Sequence, residues 1–257
     1  MDAMYRMLRG IVALAGSVAL VMTASAGVGQ AAQITPDRGS NNPAVAAIEP
    51  AAGSVVGVAY PVIVTFAGPV GDRAAAERGI HISSTPARTG HFEWPSSDEV
   101  QWIPDGYWAP HSKISVDVHG MKTGFETGDA VLGVADISDH TFTVSVNGEM
   151  LRVMAASMGK PKRPTPIGSF TALTKERTIK FDSRTIGIPL NDPEGYLLNG
   201  EYAVRVTWSG VYVHSAPWST GSQGYANVSH GCINLSPDDA AWYFNSVHLG
   251  DPIIVQA

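Results

Sequence analysis

Between residues 55 and 118 the chain runs in short stretches where apolar and polar positions alternate. VVGVAYPVIVTF (55–66) holds two apolar segments broken by Pro61. GIHIS (79–83), GHFEW (90–94), EVQWI (99–103) and KISVDV (113–118) alternate, with turn residues between them. A period of two puts every other side chain on one face, so each stretch predicts a half-buried strand. Only residues 72–78 read as a short helix. Short strands at regular spacing predict a small β-sandwich of immunoglobulin type; the Cys-Trp-Cys pattern of antibody domains is missing, so the reading rests on spacing. The glycine-containing TGFETGD (123–129) is the expected junction.

A second β region is expected from Ile137. In VSVNGEMLRV, Asn147-Gly148 sits between two β-like runs, the strongest short hairpin signal. GKPKRPTPIGSF (159–170) reads as a proline-studded loop, and residues 178–188 and 203–209 as further strands. Ser236 as N-cap, Pro237 at the first helical position and Asp238 and Asp239 in the first turn mark a late helix that Gly250 would close. Residues 252–256 form a last strand. The expected fold is mainly β: an immunoglobulin-like sandwich over 34–129, then a β-rich domain over 130–257 with one late helix.

Residues 1–33 stand apart. Arg6 and Arg9 precede an apolar run over 11–22, and Ala24-Ser25-Ala26 fits a cleavage site. The run is short for a membrane span. A cleaved signal peptide and a retained anchor both remain open, and either implies export. A lipid-modified cysteine is excluded there, because no cysteine is near. The formal net charge is −6 without any basic arm, which argues against nucleic acid as a partner.

Cys232 is the single cysteine of the chain. It has no intrachain partner, and in an oxidising compartment a free thiol is either buried as a small hydrophobe or used. A thiol used as a nucleophile needs a base nearby. His230 lies two residues away; His214 lies 18 residues earlier, in GVYVHSAPW at the end of a β-like run. If the two segments are adjacent strands, His214 and Cys232 meet. Gly231 would let a carbonyl approach the backbone, with N–H groups as oxyanion donors, and Asn234 adds an amide. Paired-ligand spacings such as CxxC or HxxxH are missing, so neither a metal nor a cofactor is expected. Glycines at 221 and 224 and aromatics at 218 and 225 suggest a mobile lid. His81, His91 and His111 read as surface or turn histidines.

His214, a spacer of fourteen residues and Ser229-His230-Gly231-Cys232-Ile233-Asn234 resemble the signature of the L,D-transpeptidases, the YkuD-type catalytic domain. Thr165-Pro166-Ile167-Gly168-Ser169-Phe170 resembles a second motif of that domain. The resemblance covers roughly 137–255, and with an export segment and a sandwich in front it is similar to the shorter mycobacterial two-domain members. It implies cleavage of a peptidoglycan tetrapeptide stem with release of D-alanine, then transfer to the side-chain amine of a second stem, a 3→3 cross-link. It further implies Cys232 as nucleophile, His214 as base and later acid, and the Ser215 carbonyl as the group that holds the imidazole. His230, Gly231 and Gly210 would shape the oxyanion region, and Tyr196, Ser209, Asn234, Trp218 and Ser229 would line the substrate site. Carbapenem-type β-lactams would acylate the same thiol. An L,D-carboxypeptidase and a non-catalytic wall-binding module remain the alternatives, with the sandwich as a spacer.

Overall fold

The computed structural model describes residues 42–257. The export segment expected over 1–33 lies outside the described residues.

Two four-stranded sheets face each other in the first half. One has the order β1 (Val45–Glu49), β3 (Val62–Phe66), β6 (Glu99–Pro104), β5 (Gly90–Glu93); the other β2 (Val55–Val56), β8 (Met121–Thr127), β7 (Lys113–Val118), β4 (Ile80–Thr85). The alternation read from the sequence decides what each strand buries. Val62, Val64 and Phe66 from one sheet meet Ile114, Val116 and Val118 from the other in a single apolar core. Trp102 and Trp108 stack at 5.3 Å inside it, and the buried Trp108 indole is satisfied by donating to the Tyr60 carbonyl at 2.9 Å. The short helix α1 (Arg73–Arg78) is N-capped by Asp72, which accepts from the Ala75 N–H at 2.9 Å.

Two expectations need correcting. Most of the junction TGFETGD is strand: it pairs along β7 through Thr127, and the chain passes to β9 (Val131–Asp136) over residues 128–130. Gly124 packs closely there: a Cβ would stand 3.1 Å from the Ile114 carbonyl oxygen, a tight approach. The second β region therefore starts at Val131, before Ile137.

That second region has a five-stranded sheet, ordered β11 (Glu149–Ala155), β10 (Thr141–Val146), β9, β17 (Pro252–Gln256), β12 (Gly168–Thr171). Asn147 and Gly148 turn the β10–β11 hairpin with φ of 51° and 86°, as a tight two-residue turn requires. A four-stranded sheet of β13 (Lys175–Asp182), β14 (Leu197–Arg205), β15 (Tyr212–Ser215) and β16 (Ile233–Leu235) carries the site. The strands expected over 178–188 and 203–209 thus begin earlier, and residues 183–186 form a 3-10 turn between them. Helix α2 (Pro237–Ser246) packs on β14 and β15. Ser236 caps it as expected, but it ends at Ser246, and Gly250 instead turns the chain into β17 at φ 88°. Phe142 meets Tyr243 edge-on at 4.9 Å in the shared core.

The two halves touch through backbone. The Gly57 N–H donates to the Leu249 carbonyl at 2.7 Å, and Ala59 to Gly250 at 2.9 Å. The Val58 N–H donates to Asp251, whose side chain is fully buried. A Cβ on Gly57 would sit 2.1 Å from the Asp251 nitrogen, so only glycine fits that approach.

Candidate active site

Strands β15 and β16 run parallel, with His214 opposite Asn234. Residues two apart share a face, so Tyr212 and His214 on one strand and Cys232 and Asn234 on the other look toward the same side. They line one cavity of about 830 Å³. The adjacency of the two strands brings the distant histidine to the same cavity as the thiol.

The loop before β16 is built around Cys232. Gly231 has φ 121°, a conformation that favours glycine. Its N–H donates to Ser229 Oγ at 3.0 Å, and the same hydroxyl donates to the Cys232 carbonyl at 2.7 Å. The Ser229 hydroxyl is therefore committed to shaping the loop. Buried Thr165 accepts from the Gly159 N–H and donates to the Gly231 carbonyl, both at 2.9 Å. The TPxG segment, which had no assigned task in the sequence, braces the cysteine loop. His230 sits in this loop and not on a strand. Its ring packs on Tyr196 at 5.0 Å, and Lys160 Nζ lies 3.2 Å from its Nε2. Lys160 in turn holds Glu194 at 2.9 Å.

The electrostatics separate the two key groups. His214 is buried, and burial pulls its pKa down to about 4 against hydrogen bonds to the Ser215 carbonyl and the Asn234 side chain. Its Nδ1–H donates to that carbonyl at 2.8 Å, which leaves the Nε2 lone pair as the basic position. Burial pushes the Cys232 thiol up to about 11, opposed by the Tyr212 N–H. The thiol donates to the Gly210 carbonyl at 3.7 Å. A neutral thiol beside a neutral imidazole is the resting state.

Of the expected residues, Cys232, His214, Tyr196, Ser209, Gly210, Trp218, Ser229, His230 and Asn234 all line the cavity. Ser215 and Gly231 act behind it through their backbone. Asn234 is turned to its neighbours, donating to Ser219 Oγ at 3.0 Å, and the Ser209 hydroxyl pairs with Thr207 at 2.8 Å. The lid expected over 219–226 is different: Gly224 donates to the Ala156 carbonyl, Gln223 is buried, and Tyr225 points to solvent away from the cavity. Residues within 179–198, including Phe181, Pro193, Glu194 and Tyr196, line the cavity together with Cys232, as do Trp218 and Ser219 at the start of the expected lid. Phe181, which the sequence did not single out, lies 4.5 Å from the His214 ring. His91 and His111 sit at the surface near Asp105 and Asp129. No group of three metal-binding side chains occurs among the described residues.

A family model described as the L,D-transpeptidase catalytic domain matches residues 131–255, and one for a bacterial Ig domain matches 21–122. The chain is 68% identical to L,D-transpeptidase 1 of Mycobacterium tuberculosis over 83% of its own length and 85% of that protein. The chain belongs to the L,D-transpeptidase family. A solved complex of such an enzyme with imipenem superimposes with a TM-score of 0.78 at 68% identity, covering 83% of this chain and 99% of that one. An L,D-transpeptidase from Mycobacterium smegmatis gives 0.77 at 67% identity, with 83% and 99% covered. L,D-transpeptidase 3 of M. tuberculosis, carrying a faropenem-derived adduct, gives 0.76 at 52%, with 83% and 98% covered. The Ig-like sandwich followed by a β-rich catalytic domain with a late helix is the family's architecture in this chain.

Proposed function

We propose that this member joins peptidoglycan stems by 3→3 transpeptidation through a thioester on Cys232, at the cell-wall side of the plasma membrane. The observation that carries the reading is the buried His214, tied through Nδ1 to the Ser215 carbonyl, on the strand beside Cys232 and under the same cavity. Since the thiol's value near 11 lies far above the imidazole's near 4, the proton stays on sulfur at rest. It moves to His214 Nε2 as sulfur attacks the carbonyl of the third stem residue. The Gly231 N–H is taken by Ser229, so the N–H groups flanking it receive the oxyanion. His214 then gives the proton to the departing D-alanine nitrogen, leaving the thioester. The acceptor amine attacks, losing its proton to His214, and the thiol leaves with that proton.

The imipenem and faropenem structures of relatives support acylation of this thiol by β-lactams as well. Export rests on Arg6, Arg9 and the apolar run over 11–22. The test is a disaccharide-tetrapeptide incubation read by mass. We expect a cross-linked dimer plus free D-alanine, both lost in Cys232→Ala together with the carbapenem adduct. Tripeptide without dimer would make the protein a carboxypeptidase, and no release with no adduct would leave a wall-binding module.

A further inference from the structure

The cavity extends past Cys232 to a second group of side chains: Arg205, Trp208, Tyr212 and Glu176. Arg205 ends β14 and pairs with Tyr212, which begins β15; Cys232 stands just before β16 on the next strand position. Two strand spacings put the backbone positions of Arg205 and Cys232 about 10 Å apart across the sheet. Its guanidinium lies 4.6 Å over the Tyr212 ring and 5.6 Å from that of Trp208, between two aromatic faces that fix its plane.

Its guanidinium is only partly matched within the protein: it reaches the Tyr212 hydroxyl and forms a loose ion pair with Glu176. Arg205 Nε is buried with no hydrogen-bond partner. The facing carboxylate, Glu176, stays 3.8 Å away, beyond hydrogen-bond distance, and its near oxygen Oε1 already accepts from the Thr174 hydroxyl at 2.7 Å. The other charges at the cavity wall differ. Lys160 is held by Glu194 at 2.9 Å, Asp182 is bound by Arg184, and Lys180 is exposed. A rigid planar cation with an underused fork, set in an aromatic cleft leading to a nucleophile, is suited to bind a carboxylate with two parallel hydrogen bonds.

We propose that Arg205 is a specificity residue that binds a carboxylate of the peptide substrate, one lying within about three residues of the reacting carbonyl. That reach is the 10 Å separation divided by about 3.3 Å per extended residue. The inference rests on the peptide-stem reading above. It gives Trp208 and Tyr212 a shared task, holding the guanidinium plane in the cleft. Donor and acceptor stems both carry such carboxylates.

The test uses protein that binds without turnover. Cys232→Ala and Cys232→Ala with Arg205→Gln or Arg205→Lys are titrated with an N-acetylated tetrapeptide stem, and with versions in which each carboxylate in turn is a primary amide. On the free peptide Arg205→Gln should weaken binding about tenfold, with Arg205→Lys intermediate, because a point charge keeps attraction but loses the fork. On one amidated version the difference should fall below about twofold, which identifies the carboxylate. The same comparison with an acceptor stem, added to enzyme acylated at Cys232 and read as dimer, separates donor from acceptor use. A loss of equal size on every version, donor and acceptor, would mean a structural role and overturn the proposal, as would no loss on any. Thermal melting of each variant, and alkylation of Cys232 by neutral iodoacetamide in Arg205→Lys, report whether the fold and nucleophile are intact. Failure of the wild-type enzyme to release D-alanine would count against the stem reading alone, because binding is measured separately.

Discussion

A thiol held near pKa 11 in the same cavity as an imidazole held near 4 makes a sharp statement about pH if the two react as proposed. His214 accepts a proton only when neutral, and burial keeps it neutral down to about pH 4. Acylation by a carbapenem, followed by mass, should therefore stay level through pH 6 and fall with an acid limb centred near 4. A limb near 6.5, the ordinary histidine value, would mean that the ring is hydrated in solution. Replacing His214 by Gln should cost at least about 100-fold in acylation rate. What reactivity remains should climb with pH toward about 11, as the thiolate forms without help. Leaving the proton on sulfur also suits an enzyme with a lone cysteine, because a neutral thiol is slow to oxidise.

The surroundings that impose those values come from strand geometry. Strand β14 changes register between Glu201 and Val204, and Tyr202 takes φ 52°. This bulge sets the face that Arg205 presents beyond it. On the same strand Gly200 lies under the Phe181 ring, where a Cβ would stand 2.3 Å from the ring edge. The ring, not backbone, must yield, and its shift disturbs the packing of Phe181 4.5 Å from the His214 ring. Gly200→Ala should thus lower carbapenem acylation about tenfold and move its acid limb up toward 6.5 as water reaches the imidazole, with only a small change in melting temperature. Unchanged acylation and an unmoved limb would show that Phe181 does not shield the base. Local signals made much of the molecule legible: Asn147-Gly148 wrote the hairpin, Ser236-Pro237-Asp238 wrote the helix start, and the spaced histidine and cysteine pointed to two residues that line one cavity. Phe181, Lys160, Glu194 and Arg205 were not legible, because each reaches the cavity through sheet register and a bulge that leave no local pattern. Strand β8 was missed for the opposite reason: its glycine packs closely on β7, yet in sequence it reads as part of the junction.

Asp251 joins the two domains in the assembled chain. It accepts from the Val58 N–H across the interface at 3.2 Å and from the His248 N–H at 2.8 Å. Gly57 and Ala59 bond to its neighbours Leu249 and Gly250, so the contact fixes how the sandwich is oriented on the catalytic domain. Burial raises the Asp251 pKa to about 7, against those donors and the Lys175 charge. Since this lies above the ordinary carboxylate value of 3.8, folding favours the protonated form. That contribution is complete below about 3.8 and is lost as pH rises through about 7. His214, His230 and His248 are all held below their ordinary value, and they act in the other direction, weakening the fold as pH falls. The comparison must therefore be with Asp251→Asn, which keeps the shape and cannot ionise. Between pH 4.5 and 7.5 the melting temperature of the native chain should drop relative to that of Asp251→Asn by about 3 °C or more. Parallel profiles would mean that the carboxylate is ionised throughout and stabilised by its N–H donors. Because an amide nitrogen would then face one of those donors, the variant should also be the less stable protein at pH 4.5, where both side chains are neutral. If the interface is what loosens, calorimetry at pH 8 should resolve the sandwich and the catalytic domain as two transitions that merge at pH 5.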